Sequence, residues 1–328
     1  MNKFLSLLIG MTMASASVLA QTHDTGRIAT GDRQCFNHMD IAVTGGSTGV
    51  GLDLSMPVSS RVTVRTGFTF VPNVFDDMTM GIQIGDDNVS QEEQNKKFDK
   101  MASFVEQYLG TKIDQNIQMR RIPNFNNFKL LVDVHPLRNK NWFVTGGFYW
   151  GPSTIARAEN AAIDGTSLVG VAMYNKFYDA AVNDEPIYDN VYLDPELTAK
   201  FIQNGRMSVH LGEFKDTKHN REEGRSGAYR LVPNADNMIK AKLKVNSFRP
   251  YLGIGYGGSL AKHSDMCHLY VNCGAMFWGG TPKLIAHDGV DLINDVENIG
   301  GSVGDNVRFF KKFKFFPVLE LRLTHKIF

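Results

Sequence analysis

Leu319-Glu320-Leu321-Arg322-Leu323-Thr324 sets a leucine against a polar or charged residue at every step. In an extended chain successive side chains point to opposite faces, so this stretch reads as a strand with two chemically distinct sides. Leu319, Leu321, Leu323 and Ile327 share one face, and Glu320, Arg322, Thr324 and Lys326 share the other.

The same alternation recurs toward the N-terminus. One strand places Leu269, Val271, Cys273, Ala275 and Phe277 together, and in the strand before it Leu252, Ile254 and Tyr256 oppose Gly253, Gly255 and Gly257. Ile239, Ala241, Leu243 and Val245 alternate with Lys240, Lys242, Lys244 and Asn246. An aromatic-rich strand covers Trp142 to Trp150, preceded by one in which Phe128, Leu130, Val132 and Val134 oppose Lys129, Asp133 and His135. Val62, Val64, Phe68 and Phe70 face away from Arg61, Thr63, Arg65 and Thr69. The first strand is expected over 41–56, with Val50, Leu52 and Leu54 opposite Gly49, Gly51 and Asp53. The expectation is all-β: an antiparallel barrel of eight strands, or ten if an insertion contributes a hairpin.

Alternation alone does not choose the solvent. A soluble barrel turns the apolar face inward, and a membrane barrel turns it outward. In the second case Asp53, Arg61, Arg65, Lys129, Asp133, His135, Lys240, Lys242, Lys244, Glu320 and Arg322 line the lumen as a structural charge network. No internal run approaches the roughly 20 apolar residues of a spanning helix, but barrel strands leave no such run. A net charge of +1 gives no electrostatic footprint for nucleic acid. Lys3, a hydrophobic run over 4–16 and Val18-Leu19-Ala20 form a secretory signal peptide, with cleavage expected after Ala20 and a polar leader over 21–37.

Four segments carry a resemblance. Gly45-Gly46-Ser47-Thr48-Gly49-Val50-Gly51-Leu52-Asp53-Leu54 and Pro250-Tyr251-Leu252-Gly253-Ile254-Gly255-Tyr256-Gly257 resemble small Gram-negative outer-membrane β-barrel proteins. So do Cys273 to Lys283 and Phe315 to Leu321. The resemblance implies a transmembrane barrel in the outer membrane, in contact with its lipid and, during biogenesis, with the insertion machinery. It implies no catalytic signature. Such barrels commonly end in an outward-facing aromatic, whereas strict alternation puts Phe328 on the polar face, so a bulge or a frayed end is expected.

Three insertions interrupt the strands, at about 76–124, 151–238 and 280–313. In the first, Ser90 and Glu93 have capping-box spacing, and Phe98, Met101, Ala102, Val105, Tyr108 and Leu109 recur at helical spacing before Gly110. That helix is expected on the barrel rim or in its mouth, with a membrane-surface helix as the alternative. Asp194-Pro195-Glu196 starts a second helix that Gly205 stops, and 215–230 reads as a charged, mobile stretch. Long loops of this kind are where barrels carry recognition of a protein or surface ligand.

Chemistry is sparse. Asp133 and His135 share a strand face, with Ser55 as a conceivable nucleophile, but a lumen ion network explains the pair equally well. Asp76, Asp77, Asp86 and Asp87 lack EF-hand spacing and read as a solvated acidic surface. Gly253, Gly255 and Gly257 open no helix, which removes the phosphate-loop reading. Cys35, Cys267 and Cys273 are an odd count, and a continuous strand would hold the last two about 20 Å apart, too far for a disulfide. The reading is a structural or interaction protein without catalytic site, metal or cofactor. A narrow channel for small, anionic solutes is the alternative, and an outer-membrane hydrolase the second.

With eight contiguous strands and both termini periplasmic, the first short turn would face outward. That conflicts with the usual placement of short turns in the periplasm.

Overall fold

The computed structural model describes residues 38–73, 76–85, 90–161, 164–261, 264–312 and 314–327. The signal peptide, the leader, Cys35, Asp86, Asp87 and Phe328 lie outside the described residues.

Eight antiparallel strands close into a barrel: β1 (Asp40–Gly46), β2 (Gly49–Ser59), β3 (Val62–Phe70), β7 (Asn127–Val134), β8 (Trp142–Trp150), β13 (Phe248–Ala261), β14 (Ser264–Phe277) and β17 (Phe315–Lys326). Closure is made by β1 on β17, with Asp40 opposite Lys326 and Gly46 opposite Glu320.

Polarity fixes the solvent. Leu52, Leu252 and Leu319 on the outer wall are 59%, 59% and 58% exposed, while Arg65, Asp133 and Glu320 inside are each about as buried as a core residue, at 1%. Ile41, Val43, Leu54, Leu130, Val144, Ile254, Val271 and Leu321 complete the apolar exterior. Aromatics mark both ends of this band: Trp142 and Tyr256 at one, and Phe70, Phe128, Trp150, Phe248, Phe277 and Phe315 at the other. Trp142 and Trp150 are separated along β8 by about 26 Å, or about 20 Å along the axis of a barrel with strands tilted near 40°. That is close to the apolar height of outer-membrane-type barrels. The barrel is transmembrane, and among the described residues no helix is long and apolar enough to cross a membrane.

The strand count agrees with the expectation, but two of the strands differ. The stretch expected as one strand over 41–56 is the hairpin β1–β2, turning at Ser47-Thr48. Gly49 sits at φ 97°, and a side chain there would meet the Phe70 carbonyl. Ser47 Oγ donates to the Pro317 carbonyl (3.1 Å) and accepts from the Leu319 N–H (3.0 Å), pinning the turn to β17. The stretch at 239–246 is not a barrel strand. It is β12 (Lys240–Lys244), in a sheet outside the membrane band, with Ile239, Leu243 and Val245 packed into that unit's core.

The extra turn resolves the orientation conflict. Both described ends of the chain (residues 38 and 327) and the short links from β2 to β3, β7 to β8 and β13 to β14 now share one end of the barrel. The other end carries the Ser47-Thr48 turn and insertions at 71–126, 151–247 and 278–314.

Those three insertions interleave. A five-stranded sheet runs β15 (Lys283–Ala286), β12, β9 (Thr154–Asn160), β6 (Asn116–Pro123) and β4 (Asp76–Gly81). A second sheet runs β11 (Ala228–Leu231), β10 (Met207–Phe214) and β16 (Val296–Glu297), with β5 (Gln83–Ile84) also paired to β10. Each sheet takes strands from all three insertions.

Among the described residues five helices belong to the same extramembrane unit: α1 (Gln91–Leu109), α2 (Gly165–Asn183), α3 (Pro195–Asn204), α4 (Lys218–Glu222) and α5 (Gly301–Lys312). Helix α1 starts where its sequence says: Ser90 accepts from the Glu93 N–H, and Gly110 closes it at φ 65°. Its stripe of Phe98, Met101 and Val105 is buried in the unit's core, so it is neither a rim nor a membrane-surface helix. Asp194 caps α3 through two backbone N–H groups, and Gly205 ends it. The stretch at 215–230 is ordered into α4 and β11, with buried Asn220 donating to the Lys215 and Asp295 carbonyls.

A charge on the outer wall is expected to cost far more than one inside. Leu252→Arg should destabilise the barrel in a bilayer by about 2–4 kcal/mol. Urea titration of folding into lipid vesicles measures this, and an unchanged midpoint would contradict the assigned lipid face.

Candidate functional site

The lumen is filled by a neutral ion cluster. Arg65 on β3 lies at its centre: Nε is 3.0 Å from Asp133, and Nη1 is 2.8 Å from Glu320 and 3.5 Å from Asp53. Lys129 on β7 bridges Asp53 at 2.9 Å and Glu320 at 2.5 Å. Arg322 on β17 reaches Asp133 at 3.3 Å and lies over the Tyr270 ring at 4.4 Å. Thr145 on β8 donates to Asp133 at 2.7 Å. Three cations thus meet three carboxylates from β2, β3, β7 and β17. Isolated, any of these charges would be prohibitively costly to bury; paired and hydrogen-bonded, they fill a space just wide enough for side chains.

Above the cluster, Tyr149 and Tyr251 meet edge to face at 5.4 Å. The mouth beneath the extramembrane unit is capped by Arg249, whose guanidinium donates to Asn127 Oδ1 and to the Pro152 and Asn246 carbonyls. Phe125, Trp278 and Phe316 pack beside it within 6.1 Å of one another. One apolar cluster runs from Leu131, Tyr149, Tyr251 and Val318 through Phe125 and Trp278 into the core of the loop domain.

Of the residues expected to line the lumen, Asp53, Arg65, Lys129, Asp133, Glu320 and Arg322 come together there. The other five do not. Arg61 is exposed in the turn after β2, and His135 lies at the rim with Nδ1 3.4 Å from the Arg61 carbonyl. Lys240, Lys242 and Lys244 stand on β12 outside the barrel, because the face opposite them is buried in the loop domain rather than in lipid. Sequence reasoning missed Arg249, although a charge flanked by Phe248 and Pro250 at a strand start was a usable signal.

The catalytic arrangement considered from sequence is not assembled. Asp133 is committed to Arg65, Arg322 and Thr145, and neither it nor Ser55 bonds to His135. Of the four aspartates weighed as a cation site, Asp77 lies 3.8 Å from Arg120. Among the described residues no group of His, Cys, Asp and Glu could hold a metal. Cys267 and Cys273 are both free on β14. Outside the barrel, burial and the adjacent Asp288 carboxylate hold the Tyr229 phenol well above its usual range, so it stays a donor to Asp288 (2.9 Å).

No family model and no curated protein matches this chain. Among solved structures, CarO2 of Acinetobacter baumannii is similar at 15% identity and TM-score 0.35, covering 88% of this chain and 98% of its own. CarO of Acinetobacter baumannii gives 14%, 0.35, 89% and 99% in the same order. A major outer membrane protein from Thermus thermophilus gives 11%, 0.29, 88% and 98%. Likeness of this size carries no argument, and the chain's own geometry has to indicate its role.

Removing one partner of a buried cluster leaves an uncompensated charge. Glu320→Gln should cost about 3–5 kcal/mol, and adding Lys129→Met should recover more than half by restoring neutrality. Denaturant titration of Glu320→Gln, Lys129→Met and the double variant checks this; additive losses would show that Lys129 and Glu320 are not coupled.

Proposed function

We propose that this protein is an outer-membrane anchor that displays a folded domain at the cell surface, acting by contact rather than by catalysis or conduction. The observation that carries it is the pairing of a filled barrel with a single domain woven from all three long loops at one end. Long loops of such barrels normally face outward and short turns face the periplasm. On that rule the domain is extracellular and both described ends of the chain are periplasmic.

The domain offers a contact surface. The stretch from Asp184 to Glu196 holds five acidic residues and no lysine or arginine. Tyr188 is 80% exposed in this stretch, and Val191 and Tyr192 are both 55% exposed. Apolar groups held in solvent by an ordered segment are a common mark of partner binding. The channel reading loses its support, since the lysine ladder lies outside the barrel and the ion cluster occupies the lumen.

The barrel is expected to give no ohmic conductance in planar bilayers, while Arg65→Ala combined with Glu320→Ala should introduce brief, small openings. Steady conductance by the unaltered chain would overturn the anchor reading. Tyr188→Cys, with Cys35, Cys267 and Cys273 replaced by Ser, should react with a membrane-impermeant maleimide on intact cells. Reaction only after lysis would reverse the orientation.

A further inference from the structure

The exposed face of the five-stranded sheet sorts its charges by distance from the barrel. Farther out, cations have acidic neighbours: Lys240 stands opposite Glu159 and its Nζ lies 3.4 Å from Asp236. Nearer the barrel mouth the pattern inverts. Lys244 is directly opposite Lys283, and Lys242 is directly opposite Arg157. All four are exposed, and none has an acidic partner among the described residues. Like charges placed opposite one another in a ladder disfavour the sheet. Two such pairs side by side make sense where an anion neutralises them.

Position indicates which anion. Lys244 precedes Phe248 of the aromatic band by four residues, a span of at most about 14 Å of chain. Arg157 also lines a cleft of about 500 Å³ whose other walls include Phe70, Val71 and Pro72 from the barrel rim and Ile122 and Pro123 from β6. Phe70 is one of the outward-facing aromatics. The cleft therefore joins Phe70 of the lipid face to Arg157 at headgroup height, with Asn73, Asn124 and Asn126 completing a mixed lining, and the three lysines stand on the strands beyond Arg157.

We propose that Arg157, Lys242, Lys244 and Lys283 bind the phosphate of a phosphorylated amphiphile in the adjoining leaflet, with its acyl chain against Phe70 and the barrel wall. Arg157 supplies planar, two-pronged contact to phosphate oxygens, and the lysines supply point charges around it. The site rests on the membrane-anchor reading. It would fix the loop domain against the membrane surface and give the barrel a preferred lipid neighbour.

The test uses the full chain in detergent micelles doped with either phosphatidic acid or phosphatidylcholine, with retained lipid counted by native mass spectrometry. The unaltered chain should retain phosphatidic acid over phosphatidylcholine by about ten-fold or more, given the attraction of several cations near one anionic surface. R157Q/K242Q/K244Q/K283Q should lose that preference. K96Q/K97Q/K100Q/K218Q, which removes as many cations from α1 and α4, should keep it. A heat-modifiable gel band verifies that each barrel is intact. Equal retention of the two lipids by the unaltered chain, or an equal loss in both variants, would overturn the site. So would displacement of the lipid by equimolar inorganic pyrophosphate, which would assign the cations to a soluble phosphate. Carbonate extraction separates the two readings: a chain released from the membrane would sink the anchor itself, whereas a retained barrel blind to phosphate would overturn only the site.

Discussion

The contacts of Arg65 with Asp53, Asp133 and Glu320 are the constraint on which the rest of the molecule depends. A barrel whose outer wall is apolar must put its polar residues inside, where water is scarce. Those residues are tolerable only if their charges cancel. Arg65, Lys129 and Arg322 cancel Asp53, Asp133 and Glu320, and in doing so tie together strands far apart in sequence. The same cluster packs the lumen between β2, β3, β7 and β17.

What it carries is supported from below. Arg249 and the rings of Phe125, Trp278 and Phe316 join the barrel's upper interior to the loop-domain core, with Tyr149 and Tyr251 beneath them. A guanidinium held by one side-chain amide and two backbone carbonyls positions the first residues of β13 and the chain leaving β8 together. Loops fixed at their bases in this way can support a domain rather than fray.

Much of this was legible in the sequence where one face meets lipid and the other meets charge. Alternation at 61–70, 127–134, 252–257, 269–277 and 319–326, with the aromatic run at 142–150, located six barrel strands, and capping residues located α1 and α3. The β1–β2 turn was missed although its signal was present. Ile41 and Val43 put the apolar parity on odd positions and Leu52 and Leu54 on even ones, a switch that one continuous strand cannot make. The lysine ladder misled for a different reason: an apolar face looks the same whether it meets lipid or a protein core. Helix α2 escaped because Val169, Met173 and Val182 are exposed beside buried Leu168 and Val171, leaving no clean period. Strand β10 escaped because five of its eight residues are buried, in runs that do not alternate. Of the lumen cluster, the residue types were readable, but which carboxylate meets which cation depends on the closure of β1 on β17, and no local pattern encodes that.

Because each sheet of the loop domain draws strands from all three insertions, the domain has no independent folding order. Strands β15 and β16 arrive only after residue 278, when seven of the eight barrel strands have already been supplied. Ser47, at the first turn, finds its partners at Pro317 and Leu319, 270 and 272 residues later. Pairings so distant in sequence make assembly slow and late. The loop domain is therefore a late product of synthesis: neither of its sheets can be completed until β15 and β16 follow the seventh barrel strand.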